Sequence, residues 1–323
     1  MWNRISVGAL LLPMVVFSGL AAGEVQAKDE IDVLAYSIDT TVIPDGLAAT
    51  VTLAAKTRRP LKKMRLRLAS GLELLSCRLN REGQKREKDI PFKRNGWDLE
   101  LDFGRSGTPK NNFALVFEIR GRPYNKLSRE RGGFVRTNVC AEHAYIRSQY
   151  AWYPRVPGDP ATCRTTIRAR KDWLARTAGT LVERVEGREL TTWTFALEKP
   201  ARDVGLVAGP YVTVKRHREG AVDDGGMVLD ALVFAGHEKG GEALLEVAAK
   251  AIDFYSSLYG AVEGRGFTLV EMPEPFGAGS GYSEIGYMFI GSGAFEKGGS
   301  AAWAEALVAH EIAHTWWAQE VKN

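Results

Sequence analysis

The run Ala301-Ala302-Trp303-Ala304-Glu305-Ala306-Leu307-Val308-Ala309-His310-Glu311-Ile312-Ala313-His314-Thr315-Trp316-Trp317 is mostly apolar and carries an H-E-x-x-H pattern. Its periodicity predicts a helix from about Ala301 to Gln319. Residues four apart share one face of a helix. His310 and His314 therefore stand one above the other, and two imidazoles at that spacing can hold one Zn²⁺. Glu311 lies beside the first of them. It is placed to take a proton from a water that zinc acidifies to a pKa near 7. That chemistry hydrolyses a peptide bond without a covalent intermediate. A catalytic zinc needs three protein ligands and an open position. A metzincin would supply the third as a histidine at position 320, after a glycine at 317; this chain has Glu320 and Trp317 there. Glu320 is six residues past His314 and points to another side of the helix. The remaining source is a carboxylate on a following helix. Nothing in the pattern pairs His143, His217 or His237 with a metal.

Upstream of this helix the chain alternates strands and helices. Met227 to Phe234 and Phe267 to Glu271 read as short strands, the second ended by Pro273 and Pro275. A helix is expected from about Glu242 to Tyr259, with Leu244, Leu245, Ala248, Ile252, Tyr255 and Leu258 on one face. Gly240-Gly241 should precede it, and Gly260 should stop it. A glycine-rich segment, 277–299, follows.

From 31 to about 218 the chain reads as β-rich. Tyr36 to Ile43 and Leu47 to Ala55 alternate around the turn Pro44-Asp45-Gly46, which predicts a hairpin. Met64 to Leu68, Trp97 to Phe103, Phe113 to Ile119, Thr165 to Ala169, Thr191 to Leu197 and Tyr211 to Val214 are further strands. Arg65 and Arg67 alternate with apolar residues, as on the solvated face of a strand, so the basic stretch from Lys56 is not read as a polyanion site. Many short strands imply a sandwich or a saddle-shaped sheet. The domain expectation is a signal segment 1–27, an N-terminal β-domain 28–222, and a zinc peptidase domain 223–323.

The 323 residues include 43 Lys+Arg and 39 Asp+Glu, a net charge of only +4. That balance argues against a nucleic-acid partner. Arg4, the apolar run from Val7 to Leu20 and the small residues of Val25-Gln26-Ala27 match a signal peptide cleaved before Lys28. An uncleaved N-terminal anchor is the alternative. The run is shorter than the roughly 20 residues of a membrane span, and no later stretch is apolar enough for one. The expectation is an exported protein with no stable span after cleavage. Export permits disulfides. Cys140 and Cys163 could pair, leaving Cys77; three buried thiols are the other reading.

With its helix in view, the sequence resembles the membrane alanyl aminopeptidase family, zinc peptidases of the gluzincin group. His310 to His314 followed by Thr315-Trp316 is similar to that family's H-E-x-x-H-x-W signature. Trp152-Tyr153-Pro154 with Asp159-Pro160 resembles a segment of its N-terminal β-domain. Trp193-Thr194-Phe195 and Ala208-Gly209-Pro210-Tyr211 resemble the strands that close that domain. Gly281-Tyr282-Ser283-Glu284-Ile285 stands 26 residues before His310 where the family has Gly-Ala-Met-Glu-Asn; its methionine and asparagine are replaced. Gly277-Ala278 is a literal match with no glutamate in register.

The resemblance implies an α+β protein: a β-sandwich or saddle domain followed by the start of a thermolysin-like catalytic domain. It implies Zn²⁺ on His310 and His314, Glu311 as base, and Glu284 as the group that binds a substrate's free amino end. The third ligand would be a glutamate 19 positions past His314, beyond Asn323, so the chain is expected to be a fragment. Peptide substrates are implied and an aminopeptidase activity is favoured. A zinc endopeptidase and a non-catalytic β-rich binding protein with a degenerate site are the alternatives. The oligomeric state is not legible.

Overall fold

A computed structural model describes residues 31–81, 87–126, 135–218, 227–261, 266–273, 280–296 and 302–316. The expected signal segment and Gly277-Ala278 lie outside them. Among the described residues no helix is long and apolar enough to cross a membrane.

Period-two alternation builds the first sheet. β1 (Ile31–Ile43) and β2 (Gly46–Thr57) pair antiparallel from Ile31 opposite Thr57 to Ile43 opposite Gly46. Every second residue of β2 from Leu47 to Ala55 is buried, as the pleat requires. Each buried Val or Leu contributes about 1.5–3 kcal/mol over leaving it in water. The full order is β14 (Thr180–Glu186), β15 (Leu190–Ala201), β12 (Ala161–Arg170), β1, β2, β8 (Asn111–Gly121), β4 (Leu72–Arg81) and β5 (Lys88–Asp89). Beside it β3 (Lys63–Arg67), β7 (Asp98–Asp102) and β6 (Phe92–Asn95) form a small sheet. There Arg65 is exposed and pairs with Glu100, so the basic stretch is a solvated strand face at that point.

A second sheet runs β13 (Leu174–Thr177), β16 (Leu206–Gly209), β11 (Ala144–Ile146), β10 (Val135–Val139) and β9 (Tyr124–Lys126). The third runs β17 (Tyr211–Arg218), β18 (Met227–Phe234), β19 (Gly266–Met272), β21 (Tyr287–Gly291) and β20 (Gly281–Glu284). Its centre is parallel, and β20 is an antiparallel edge. β17 pairs with β18 along its whole length, so this sheet begins at Tyr211. The second and third sheets meet through Tyr145, Val207, Tyr211, Leu232, Val270, Met272, Tyr287 and Phe289. On its other face the third sheet carries α1 (Glu238–Tyr259), α2 (Gly293–Glu296) and α3 (Ala302–Ala313). The class is α+β, as expected.

Three local expectations change. α1 starts at Glu238, not near Glu242, and takes both glycines into its first turn. A Cβ on Gly240 would lie 2.1 Å from the Phe295 carbonyl oxygen, and one on Gly241 3.1 Å from Val233. The glycines therefore serve close helix packing rather than a preceding loop. α3 ends at Ala313 within the described residues, short of Gln319. After it Thr315 and Trp316 donate to the carbonyls of Ile312 and Ala313, an i to i+3 pattern tighter than an α-helix. Trp316 also donates through its indole to the Gly260 carbonyl and packs on Tyr255, contacts that compete with continuing the helix. The three cysteines are free, so the Cys140–Cys163 pairing is not formed: Cys163 sits by Thr165, and Cys140 by His143.

Candidate active site

Strand β20 holds both carboxylates that the sequence singles out. α3 packs against it. At Gly281 the approach is so close that a Cβ would stand 2.8 Å from Glu311 Cγ. Two residues on, the Ser283 backbone N–H donates to the Glu311 carboxylate. Glu311 is buried, and burial raises its pKa above the usual carboxylate range. The charges of His314 and His310, the Ser283 N–H and Arg147 act in the opposite direction. His310 and His314 have ring centroids 4.9 Å apart at 87°. His310 is exposed and His314 half-buried.

Glu284, at the end of β20, is buried and accepts a 3.1 Å hydrogen bond from the Ser148 backbone N–H. Burial raises its pKa too, offset by Ser148 and by the charge of Arg147. The Arg147 guanidinium carbon lies 3.6 Å over the Tyr282 ring. Arg176, from β13, donates to Thr268 Oγ1 at 3.2 Å, to the Gly179 carbonyl at 2.9 Å and to the Gly286 carbonyl at 3.5 Å. The last of these ties down the turn just after Glu284. Burial lowers the pKa of this guanidinium.

Thus His310 and Glu311 lie on α3 and His314 in the turn directly after it, with the two imidazoles side by side, and Glu284 stands one residue from the backbone group that holds Glu311. Arg147, Ser148 and Arg176 went unnoticed in the sequence. A backbone N–H such as that of Ser148 has no signature there. Arg147 had one weak sign, a cation inside the apolar and aromatic stretch from Ala144 to Pro154.

The donor set fits part of a zinc site. Two imidazoles this close can serve one ion, with a carboxylate between them to act on water. Among the described residues no group of three or more His, Cys, Asp or Glu side chains gathers around a common point, so no third ligand is present among them.

No family model and no curated protein matches the chain by sequence. Solved structures match it by shape. The M1 zinc metallopeptidase from Deinococcus radiodurans superposes with a TM-score of 0.62 at 17% identity, over 89% of this chain and 64% of that one. The fold is that of the M1 zinc metallopeptidases. A two-domain M1 zinc metallopeptidase mutant bound to L-tryptophan gives a TM-score of 0.66 at 18% identity, over 89% and 65%. A mutant of the Deinococcus enzyme bound to a Tyr-Ser-Ala substrate gives 0.63 at 18%, over 89% and 65%. The chain therefore spans just under two thirds of these neighbours, and at such identity the likeness is one of fold. Within this M1 fold Trp152 and Tyr153 are buried, the Trp152 indole N–H bonds the Val204 carbonyl at 2.7 Å, and Asp159 accepts the Val33 N–H at 2.7 Å.

Proposed function

We propose that this protein is an exported zinc peptidase that removes residues from the N-terminus of peptides. The observation that carries this is the single strand β20: its Ser283 N–H holds Glu311, and its next residue is Glu284. A base and a candidate amine anchor are thereby set at a short, fixed spacing. His310 and His314 would hold the zinc, with a third ligand from outside the described residues. When bound, zinc polarises the scissile carbonyl and acidifies a water molecule.

The rest is the work of the chain's own groups. Glu311 takes the proton of the attacking water and can return it to the leaving amine. Glu284 pairs with the substrate's α-ammonium, so that the first peptide bond lies at the catalytic groups. Strand β20 offers an edge along which a peptide can extend. A zinc endopeptidase is the second reading, favoured by the burial of Glu284 against Ser148, which leaves its carboxylate already partly occupied.

Matched peptides with free and acetylated N-termini decide between them. The wild type should cleave the free peptide far faster. Glu284→Ala should lower kcat/KM for the free peptide by about 1.5–3 kcal/mol, the range for a charge-assisted hydrogen bond. Equal cleavage of both peptides, unaffected by the mutation, would establish the endopeptidase.

A further inference from the structure

We propose that Arg147 is a substrate-binding residue that selects peptides beginning with an acidic residue, by pairing with that residue's side-chain carboxylate. The proposal rests on the aminopeptidase reading and goes beyond it to specificity. Its basis is the way Arg147 is held. The guanidinium stacks on the Tyr282 ring, its carbon 3.6 Å from the ring centroid. A stacked guanidinium directs its N–H donors sideways, in its own plane, rather than into the ring. The Arg147 Nε is buried and has no hydrogen-bond partner among the described residues. Arg67, Arg78 and Arg155 share that feature, but their surroundings differ. Arg78 pairs with Glu87 and Glu118, Arg155 pairs with Asp203, and Arg67 lies over Trp97 in the small sheet's surroundings. None of the ion pairs among the described residues uses Arg147. Its charge is instead felt by both Glu284 and Glu311, which places it beside the candidate site.

The spacing suits one ligand chemistry. Tyr282 and Glu284 are two apart on β20, so their side chains leave the same face about 7 Å apart. Arg147 covers the first, and the N–H of the next residue, Ser148, bonds the second. An α-ammonium seated on Glu284 would leave its own side chain within reach of Arg147. An aspartate or glutamate there would meet a half-buried cation that is in no ion pair among the described residues. A lysine or arginine there would meet a like charge.

The test uses the zinc-loaded protein and two free-amine peptides that differ only in starting with Glu or Gln, a nearly isosteric pair. The wild type should favour the Glu peptide about tenfold or more in kcat/KM, as a charge-assisted hydrogen bond allows. The ratio should fall to near one in Arg147→Met and be partly kept in Arg147→Lys. A role confined to holding β20 would lower both rates and leave the ratio as it was. Calorimetric titration with L-glutamate and L-glutamine reads the discrimination as binding, without turnover. Tighter L-glutamate binding that vanishes in Arg147→Met supports the proposal. Equal affinities, or binding of neither amino acid, overturn it. Failure of the aminopeptidase reading shows separately, as equal cleavage of free and acetylated peptides.

Discussion

The β1–β2 hairpin and the surroundings of β20 are both β-structure, yet they are held in opposite ways. In the hairpin Ile43 faces Gly46 across a turn, and the register runs outward from there with alternate residues in the core. Around β20 the bonds that matter join distant segments: Ser148 to Glu284 across 136 positions, and Arg176 to Thr268 across 92. Apolar area holds the first region, whereas a few polar groups, several of them backbone, place the second. The fold should therefore tolerate changes at the site that abolish function, and the converse should hold for the core.

Three measurements sharpen or break that contrast. The largest effect is expected from Glu311→Gln in a zinc-loaded, active form. Peptide turnover should fall by about 10²–10⁴-fold, since glutamine cannot accept the water's proton. In the zinc-free protein its urea midpoint should stay at or above that of the wild type, because a buried carboxylate becomes a neutral amide. Near-normal turnover would assign the base to another residue, and an unfolded variant would erase the contrast.

Next comes Trp152→Ala in the β-rich region. Its ring is fully buried, and its indole N–H bonds Val204. The cost should be about 3–5 kcal/mol of stability in urea unfolding, the range for a large aromatic truncated in a core. A loss below 1 kcal/mol would mean that this segment is not the structural anchor its burial implies.

The smallest effect concerns Glu284 and pH. Burial raises its folded pKa. A raised acid contributes stability that is fully present below its unfolded pKa, near 4.3, and is lost as pH rises through the folded value. Glu284→Gln should then match the wild type's thermal midpoint near pH 4 and exceed it at pH 8. A variant less stable than the wild type at pH 8 would mean that the Ser148 bond outweighs burial.

Much of the fold was legible. Alternation revealed β1, β2, β8, β12 and β15, and helical spacing revealed α1 and α3. Strands β4, β5, β6, β9, β10, β11, β13, β14 and β20 went unrecognised. β14 shows one cause: all seven of its residues are exposed, so burial writes no alternation into it. The end of α3 was misplaced because the contacts of Trp316 with Gly260 and Tyr255 come from elsewhere in the chain.

By itself the sequence determined the H-E-x-x-H triad, because ligand spacing on a helix is a local property of consecutive residues. Periodicity is local too and predicted a β-rich stretch followed by alternating strands and helices, but it left β17 with the first, although that strand pairs with β18 in the third sheet. Only the tertiary structure decided that Ser148 and Ser283 hold the two carboxylates, that Arg147 stacks on Tyr282, and that Gly281 must be bare to admit Glu311. Those contacts depend on how sheets and helices meet, and a backbone N–H or an absent Cβ acquires its meaning only from the neighbour that packing brings to it.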